Sequence, residues 1–319
     1  MHKHLVIQTE DLEPGPVQWL ATRCELIRCA SSDPGFGDLL ARAAGLIVRT
    51  YTRVDADLLD RAPGLRVVGR AGVALENIDM DACRQRGVAV VHTPGANTRA
   101  VVEFVTTIIL DALRRRTTLT EPALGDDWHA IRERYFRNPQ LSDLTLGLLG
   151  LGRIGQAMAR VGAALDMRVL YNDVIDIAPQ DRHGSEPVGL DDLLARADIL
   201  SIHIDSRPGN RHFLDTARLA GLNKSVLLVN TSRGFVIDPD ALADFLRAHP
   251  QARALLDVHD PCEPITADYP LWGIPNATLF PHLAAGTVTA KTGMSWVVRD
   301  VWRVLTGEEP EFPARGFEE

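Results

Sequence analysis

Residues 144–173 constrain this chain more than any other stretch. An apolar run at 144–149 reads as a buried strand and leads straight into Gly150-Leu151-Gly152-Arg153-Ile154-Gly155. A helical stretch follows, then a second apolar run over 167–172 that ends at Asp173. Each glycine has its own task in such a unit. Gly150 permits the tight turn, Gly152 lets backbone N–H groups approach a pyrophosphate, and Gly155 allows helix and strand to pack closely. The helix N-terminus, with Arg153 and Ile154 at its start, then faces the anion. Asp173 stands 18 residues past the last glycine, where a carboxylate can accept hydrogen bonds from an adenosine ribose. A glycine triplet alone is an ordinary strand-to-helix turn. With two flanking strands and a placed acid it reads as a dinucleotide site. The carboxylate repels a 2′-phosphate and Val174 and Ile175 bring no cation, so NAD is the expected cofactor.

The rest of the chain supplies the setting. Apolar runs at 5–7, 24–27, 45–48, 65–68 and 88–91 alternate with helical segments, and runs at 198–203, 226–230, 254–258 and 277–280 do so later. Strands separated by helices imply parallel sheets covered on both faces. The residues at 94–97, PGAN, mark a hinge. A long apolar helix is expected over 98–115, a polar surface stretch over 132–140, and a final helix over 287–305 that can cross back to the first domain. The expected fold class is therefore α/β, with two doubly wound parallel-sheet domains. A Rossmann NAD-binding domain at 98–286 is inserted into a flavodoxin-like substrate domain made of 1–97 and 287–319. A length of 319 residues fits two cores better than one.

Charge and cysteine usage narrow the partners. The net charge is −8 and no basic face is evident, so neither nucleic acid nor an anionic membrane is expected. No apolar run nears the length of a bilayer span. Cys24, Cys29, Cys83 and Cys262 are scattered without a C-x-x-C pair, which suits a reducing compartment, the cytoplasm being the simplest. No metal site is expected, because the acids and imidazole at 257–260 have no second pair at ligand spacing.

Ligands of an open parallel sheet sit beyond the carboxyl ends of its strands. Arg233, Asp257 and His282 stand at three such ends, and Glu263 follows Asp257 by a short loop. A guanidinium can grip a carboxylate at two points. A histidine exchanges protons near neutral pH, and a neighbouring carboxylate orients its ring. Each residue has a plainer reading alone: Arg233 as a surface residue, Asp257 as a helix cap, His282 as a satisfied imidazole. Their joint occurrence beside a nicotinamide site points to hydride transfer at a carbonyl or hydroxyl next to a carboxylate.

The chain resembles the D-isomer-specific 2-hydroxyacid dehydrogenase family. The resemblance rests on GRAGV (69–73), NID (77–79), TPGAN (93–97), LLGLGRIG (148–155), VNTSRG (229–234), LDV (256–258) and PHLAAGT (281–287), in the family's order and spacing. It implies that Arg233 binds the substrate carboxylate and polarises the C2 oxygen, and that His282 is the acid–base group with Glu263 as its partner. It implies further that backbone amides near Val73 and Ala74 hold the carboxylate. Asp257 would contact the nicotinamide carboxamide with help from the backbone around Thr231. The implied substrate is a small 2-keto or 2-hydroxy acid and the implied assembly a homodimer. An added regulatory domain of the long phosphoglycerate dehydrogenase type is not implied. Tyr51, in the loop 49–53, is expected to face the substrate, and Arg49 or Arg53 could either meet a second anion or be plain surface arginines. The framework also serves NAD-sensing corepressor scaffolds, the alternative from another functional class.

Three departures stand out. The family reads Asp-Val-x-x-x-Glu-Pro, whereas here DVHDPCEP (257–264) holds one residue more. Either the loop bulges and Glu263 still reaches His282, or Asp260 takes its place; Pro264 keeps the Glu-Pro pair and favours Glu263. Ala74 and Glu76 replace a common glycine and aspartate. The segment IDSRPGNR (204–211) lacks the usual Leu-Pro-x-Thr pattern.

Overall fold

The computed structural model describes residues 3–114, 116–136, 139–261 and 263–314. The chain divides into two compact units, Met1–Thr98 with Ala285–Glu319, and Arg99–Ala284. In the first unit β1 (Leu5–Gln8), β2 (Glu25–Arg28), β3 (Gly45–Val48), β4 (Val67–Arg70) and β5 (Ala89–Val91) form one parallel sheet in the order β2-β1-β3-β4-β5. That is the flavodoxin-like doubly wound order. Every residue of β1 and β3 is buried, as a sheet covered on both faces requires. Successive residues feed opposite layers: Val68 packs with Phe36, Leu40 and Leu58, while Val67 packs with Leu20, Val297 and Val301.

The second unit holds β6 (Thr145–Leu149), β7 (Arg168–Asn172), β8 (Glu186–Pro187), β9 (Ile199–Ile202), β10 (Leu227–Asn230), β11 (Arg253–Leu256) and β12 (Ala277–Leu279). Their order is β12-β11-β10-β9-β6-β7-β8, and every pairing is parallel. This is the dinucleotide-binding order with one strand added. Its direction of winding reverses between β6 and β9, so the crevice for a ligand opens at the carboxyl ends of those two strands. No helix among the described residues is long and apolar enough to cross a membrane.

Some sequence expectations shift. The strand expected at 65–68 is Val67–Arg70, because the Leu65 N–H still closes a turn on the Ala62 carbonyl at 3.0 Å. The final helix is two helices, Val288–Ser295 and Val298–Thr306. Between them the N–H groups of Trp296 and Val297 bond three residues back, to Gly293 and Met294, which tightens and ends the first helix. The start of the polar stretch at 132–140 belongs to a helix, Asp126–Tyr135. No described side chain of it is buried, so it left no apolar period to read. Its first turn carries Asp126 and Asp127 and its last turn Arg132 and Arg134, charges that complement the helix dipole. Strand β8 was missed because two exposed residues make no pattern, and Pro187 is tolerated on a sheet edge. Arg115, Arg137, Asn138 and Cys262, which the sequence expectations touch, lie outside the described residues.

The loop leaving β3 is built around an internal anion. The Glu10 carboxylate accepts the backbone N–H groups of Arg49, Thr50, Tyr51 and Thr52 at 2.9, 2.8, 3.2 and 3.1 Å. Burial alone would lift this carboxyl, but the four donors hold it below its usual range.

Candidate active site

The glycine turn is shaped by its surroundings. Gly150 has φ of +93°, a conformation that costs other residues strain, and a Cβ there would lie 2.9 Å from the His203 carbonyl. Gly155 packs on the Gly150 carbonyl, whose carbon a Cβ would meet at 3.1 Å. Gly152 differs: a Cβ there would find nothing within 4 Å. It caps the helix Arg153–Ala164 without any side-chain cap bond, which leaves open space over a helix N-terminus, the setting that suits a diphosphate. Arg153 and Ile154 are the first two residues of that helix. Asp173 clasps the turn, accepting the Leu151 N–H at 2.6 Å and the Ile175 N–H at 3.1 Å. A carboxylate has capacity beyond these two bonds for ribose hydroxyls.

His203 borders the same turn and bonds Ser201 Oγ through Nε2 at 2.9 Å. Burial pushes its pKa down to about 4, so the ring is a neutral part of the wall.

Beyond β10, Asn230 organises the turn that presents Arg233. It is 1% exposed. Its Nδ2 donates to the Arg233 carbonyl at 2.9 Å, and its Oδ1 accepts from Ser232 N at 3.0 Å and Ser232 Oγ at 2.8 Å. Arg233 Nη1 donates to the Ser232 carbonyl at 2.6 Å. Thr231 Oγ1 is buried with no hydrogen-bond partner, an orphan that a polar cofactor group would satisfy. The open Gly152 cap, the Asp173 carboxylate and this hydroxyl fit a bound NAD.

Asp257 and Glu263 divide the support of His282. Asp257 is 0% exposed. Its two oxygens accept the N–H groups of Leu283 and Ala284 at 2.7 and 2.8 Å. Burial raises its carboxyl pKa against the pull of those two donors. The anchored segment carries His282 at φ +56°, in the left-handed region. Glu263 Oε2 then accepts from His282 Nδ1 at 2.6 Å, while Oε1 accepts the His259 N–H at 2.9 Å. The Glu263 bond raises the His282 pKa, against burial and the nearby charge of Arg233. Burial would lift Glu263, but the His282 bond and the His259 N–H carry it below its usual value. With the longer loop, the residue on His282 is Glu263. Asp260 faces Arg211 Nη2 at 3.3 Å and His212 Nε2 at 3.8 Å instead.

In the other unit, Val73 and Ala74 lie in the turn after β4, both half-buried. The Val73 carbonyl lies 3.1 Å from His92 Nδ1, so that nitrogen carries the proton. Tyr51 stands 89% exposed on the Glu10-centred loop. Sequence reasoning missed Asn230, His259, His92 and Glu10. Asn230 alone had a signal, the Asn-x-Ser order of an Asx turn.

Residues 106–284 match the family model described as D-isomer specific 2-hydroxyacid dehydrogenase, NAD binding domain. The chain is 37% identical over 310 residues to the (S)-sulfolactate dehydrogenase of Chromohalobacter salexigens, covering 95% of this chain and 98% of that one. The chain belongs to the D-isomer specific 2-hydroxyacid dehydrogenase family. The glyoxylate reductase of Thermofilum pendens is 34% identical over 312 residues, covering 93% of this chain and 90% of its own. Among solved structures, the TT0316 protein from Thermus thermophilus superposes with a TM-score of 0.83 at 32% identity, over 98% of this chain and 100% of that one. This family member is an NAD-dependent oxidoreductase that interconverts a small 2-keto acid and its D-2-hydroxy acid by hydride transfer. The corepressor alternative gains no support from these relatives.

Proposed function

We propose that His282 carries the proton of this reaction, that Glu263 fixes and charges it, and that Arg233 grips the substrate carboxylate. The bond of 2.6 Å between His282 Nδ1 and Glu263 carries the reading, because it leaves Nε2 as the nitrogen that exchanges a proton with substrate. NAD, when bound, supplies or accepts the hydride at its nicotinamide ring. The diphosphate would lie over Gly150, Gly152, Arg153, Ile154 and Gly155, with the ribose at Asp173 and the nicotinamide end near Thr231. During reduction Arg233 stabilises charge on the C2 oxygen, and the protonated His282 neutralises it. Asp257 also holds the backbone of His282, its oxygens accepting the N–H groups of Leu283 and Ala284.

The Met1–Thr98 and Ala285–Glu319 unit is read as the substrate domain, with Val73, Ala74 and Tyr51 as its substrate-binding residues. The substrate class is a small 2-keto acid, either as short as glyoxylate or carrying a polar or anionic group at C3 as 3-sulfopyruvate does. Sulfolactate and glyoxylate name the two most similar relatives reported above. The S label of sulfolactate agrees with D selectivity, because sulfur outranks the carboxyl carbon in naming and reverses the letter relative to lactate. A homodimer is inferred from the exposed apolar arm at 116–136, where Leu124 and Phe136 are 80% and 69% exposed and Leu119 and Trp128 are also open; a second copy would cover them. Buried free thiols at Cys24, Cys29 and Cys83 support a cytoplasmic location.

The test is NADH oxidation with 3-sulfopyruvate, glyoxylate, hydroxypyruvate, pyruvate and 3-phosphohydroxypyruvate. At least one should turn over, and His282→Ala should lower its kcat by roughly a hundredfold or more. Turnover within threefold of wild type in that variant refutes the assignment.

A further inference from the structure

We propose that Asp260 is a positioning residue for the His282–Glu263 pair, held by Arg211 and His212 so that the lengthened 257–264 loop delivers Glu263 to the imidazole. The inference rests on the reading of that pair as the proton carrier. It joins two places where the sequence leaves the family pattern, the extra residue after Asp257 and the altered segment after β9. The structure brings these departures into contact.

An added residue gives a loop more ways to lie, and something has to choose among them. Contacts from three sides do so. From below, Gly234 packs against the peptide joining His259 and Asp260: a Cβ at Gly234 would lie 2.6 Å from Asp260 N and nearer still to the His259 carbonyl. From the strand side, His259 Nε2 donates to the Phe280 carbonyl at 2.8 Å, and its Nδ1 stands 3.4 Å from Tyr269 Oη. From the third side come Arg211 and His212. Arg211 Nη2 reaches Asp260 Oδ2 at 3.3 Å, and His212 Nε2 lies 3.8 Å from the same oxygen. The Asp260 side chain is only 17% exposed, so this pair is shielded more than an ordinary surface ion pair.

His212 is itself directed there. It adopts φ of +49°, and its N–H donates to the Phe235 carbonyl at 2.7 Å. Its ring stands between two carboxylates, with Nδ1 3.6 Å from Asp238 Oδ2 on the far side. Its Nε2 is buried and makes no hydrogen bond, and it packs beside the Asp260 carboxylate at 3.8 Å. The charged and titratable groups around Asp260 are thus Arg211 and His212, with Asp238 behind the latter. Those around His282 are Glu263, Asp257 and Arg233, and Glu263 faces His259 besides.

The consequence reaches the proton because Glu263 lies three residues past Asp260 and accepts the His259 N–H. A loop released at Asp260 moves both supports of the Glu263 carboxylate. Displacement of about 1 Å takes a 2.6 Å hydrogen bond out of range, and such misplacement can cost about a hundredfold in rate.

The experiment measures kcat, KM and the pH profile of 2-keto acid reduction for full-length Asp260→Ala and Arg211→Ala, with His282→Gln as control. NADH fluorescence titration and thermal melting check that each variant is folded. Asp260→Ala should lose about tenfold in kcat, with KM within about twofold, and the alkaline fall of its profile should move down by about half a pH unit or more. Arg211→Ala, which alters an exposed side chain and should fold whatever Asp260→Ala does, should move the profile in the same direction by less. Unchanged profiles in both variants, with His282→Gln inactive, overturn the role of Asp260 alone. An active His282→Gln overturns the proton-carrier reading and this inference with it.

Discussion

Gly234→Ala tests whether the backbone under the 257–264 loop is as tight as it looks. The residue is glycine because of what lies above it. An added methyl would sit 2.6 Å from Asp260 N, and ordinary contact begins near 3.4 Å. The 259–260 peptide must therefore retreat by at least about 0.8 Å, since packed backbone does not compress. Glu263 is bonded to the His259 N–H at 2.9 Å and moves with it. Its bond to His282, now 2.6 Å, then stretches to about 3.4 Å and ceases to align the ring. The expected result is a loss of roughly a hundredfold in kcat, with NADH affinity kept, because the glycine turn at 150–155 lies on other strands. Stopped-flow reduction of the best 2-keto acid gives the rate, and fluorescence titration gives the NADH Kd. Inhibition by a non-reducible dicarboxylate such as oxalate reports whether Arg233 next door still grips a carboxylate. A folded variant with kcat within threefold of wild type would refute the reasoning.

The remaining predictions are shorter. Reduction should fade as pH rises through the His282 pKa, which its Glu263 partner raises above 6.5; Glu263→Gln should move that fall toward acid, and an unmoved fall argues against the pairing. The same pair sets a stability window. A raised histidine pKa stabilises below about 6.5 and is lost as pH climbs through the folded value, while a lowered glutamate pKa stabilises above about 4.5 and is lost as pH drops through its own. The melting advantage of wild type over Glu263→Gln should thus peak between those two values, and a difference independent of pH contradicts it. Asp173→Ala should weaken NADH binding about tenfold while NADPH binding holds or improves; equal losses for both would show that the acid does not read the ribose. Asp257→Asn leaves one of two buried N–H groups unserved and should cost about 2–3 kcal/mol of stability together with most of the turnover. A variant with native melting and native kcat would show that the His282 segment holds itself.

The glycine turn was legible because each of its roles depends on residue type: only glycine takes φ of +93° at 150 or admits the Gly150 carbonyl beside residue 155. The parallel strands were legible because burial on both faces leaves unbroken apolar runs. Arg233 and His282 were marked by residue type and by their place after a strand, and Glu263 by the Glu-Pro pair in the loop after Asp257. What remained hidden is of another kind. Asp257 was read for the cofactor, and only coordinates show that its two oxygens also accept the N–H groups of Leu283 and Ala284. His92 acts by supporting the Val73 carbonyl, and a residue that works through the backbone of a distant loop leaves no spacing to recognise. The helix Asp126–Tyr135 escaped because it buries none of its described side chains, so propensity and terminal charge, not periodicity, were its only marks.

The loop after β3 has a practical consequence of its own. Its amides are already occupied by Glu10, so the shape of the loop owes little to the side chains at 50, 51 and 53. Those positions behave as an exchangeable cassette on a fixed mount. Tyr51 or Arg53 can be recoded, or the short stretch grafted from a relative with different tastes, while the mount stays as it is. Altering Glu10 instead would unseat the mount, and every residue displayed on it would drift at once.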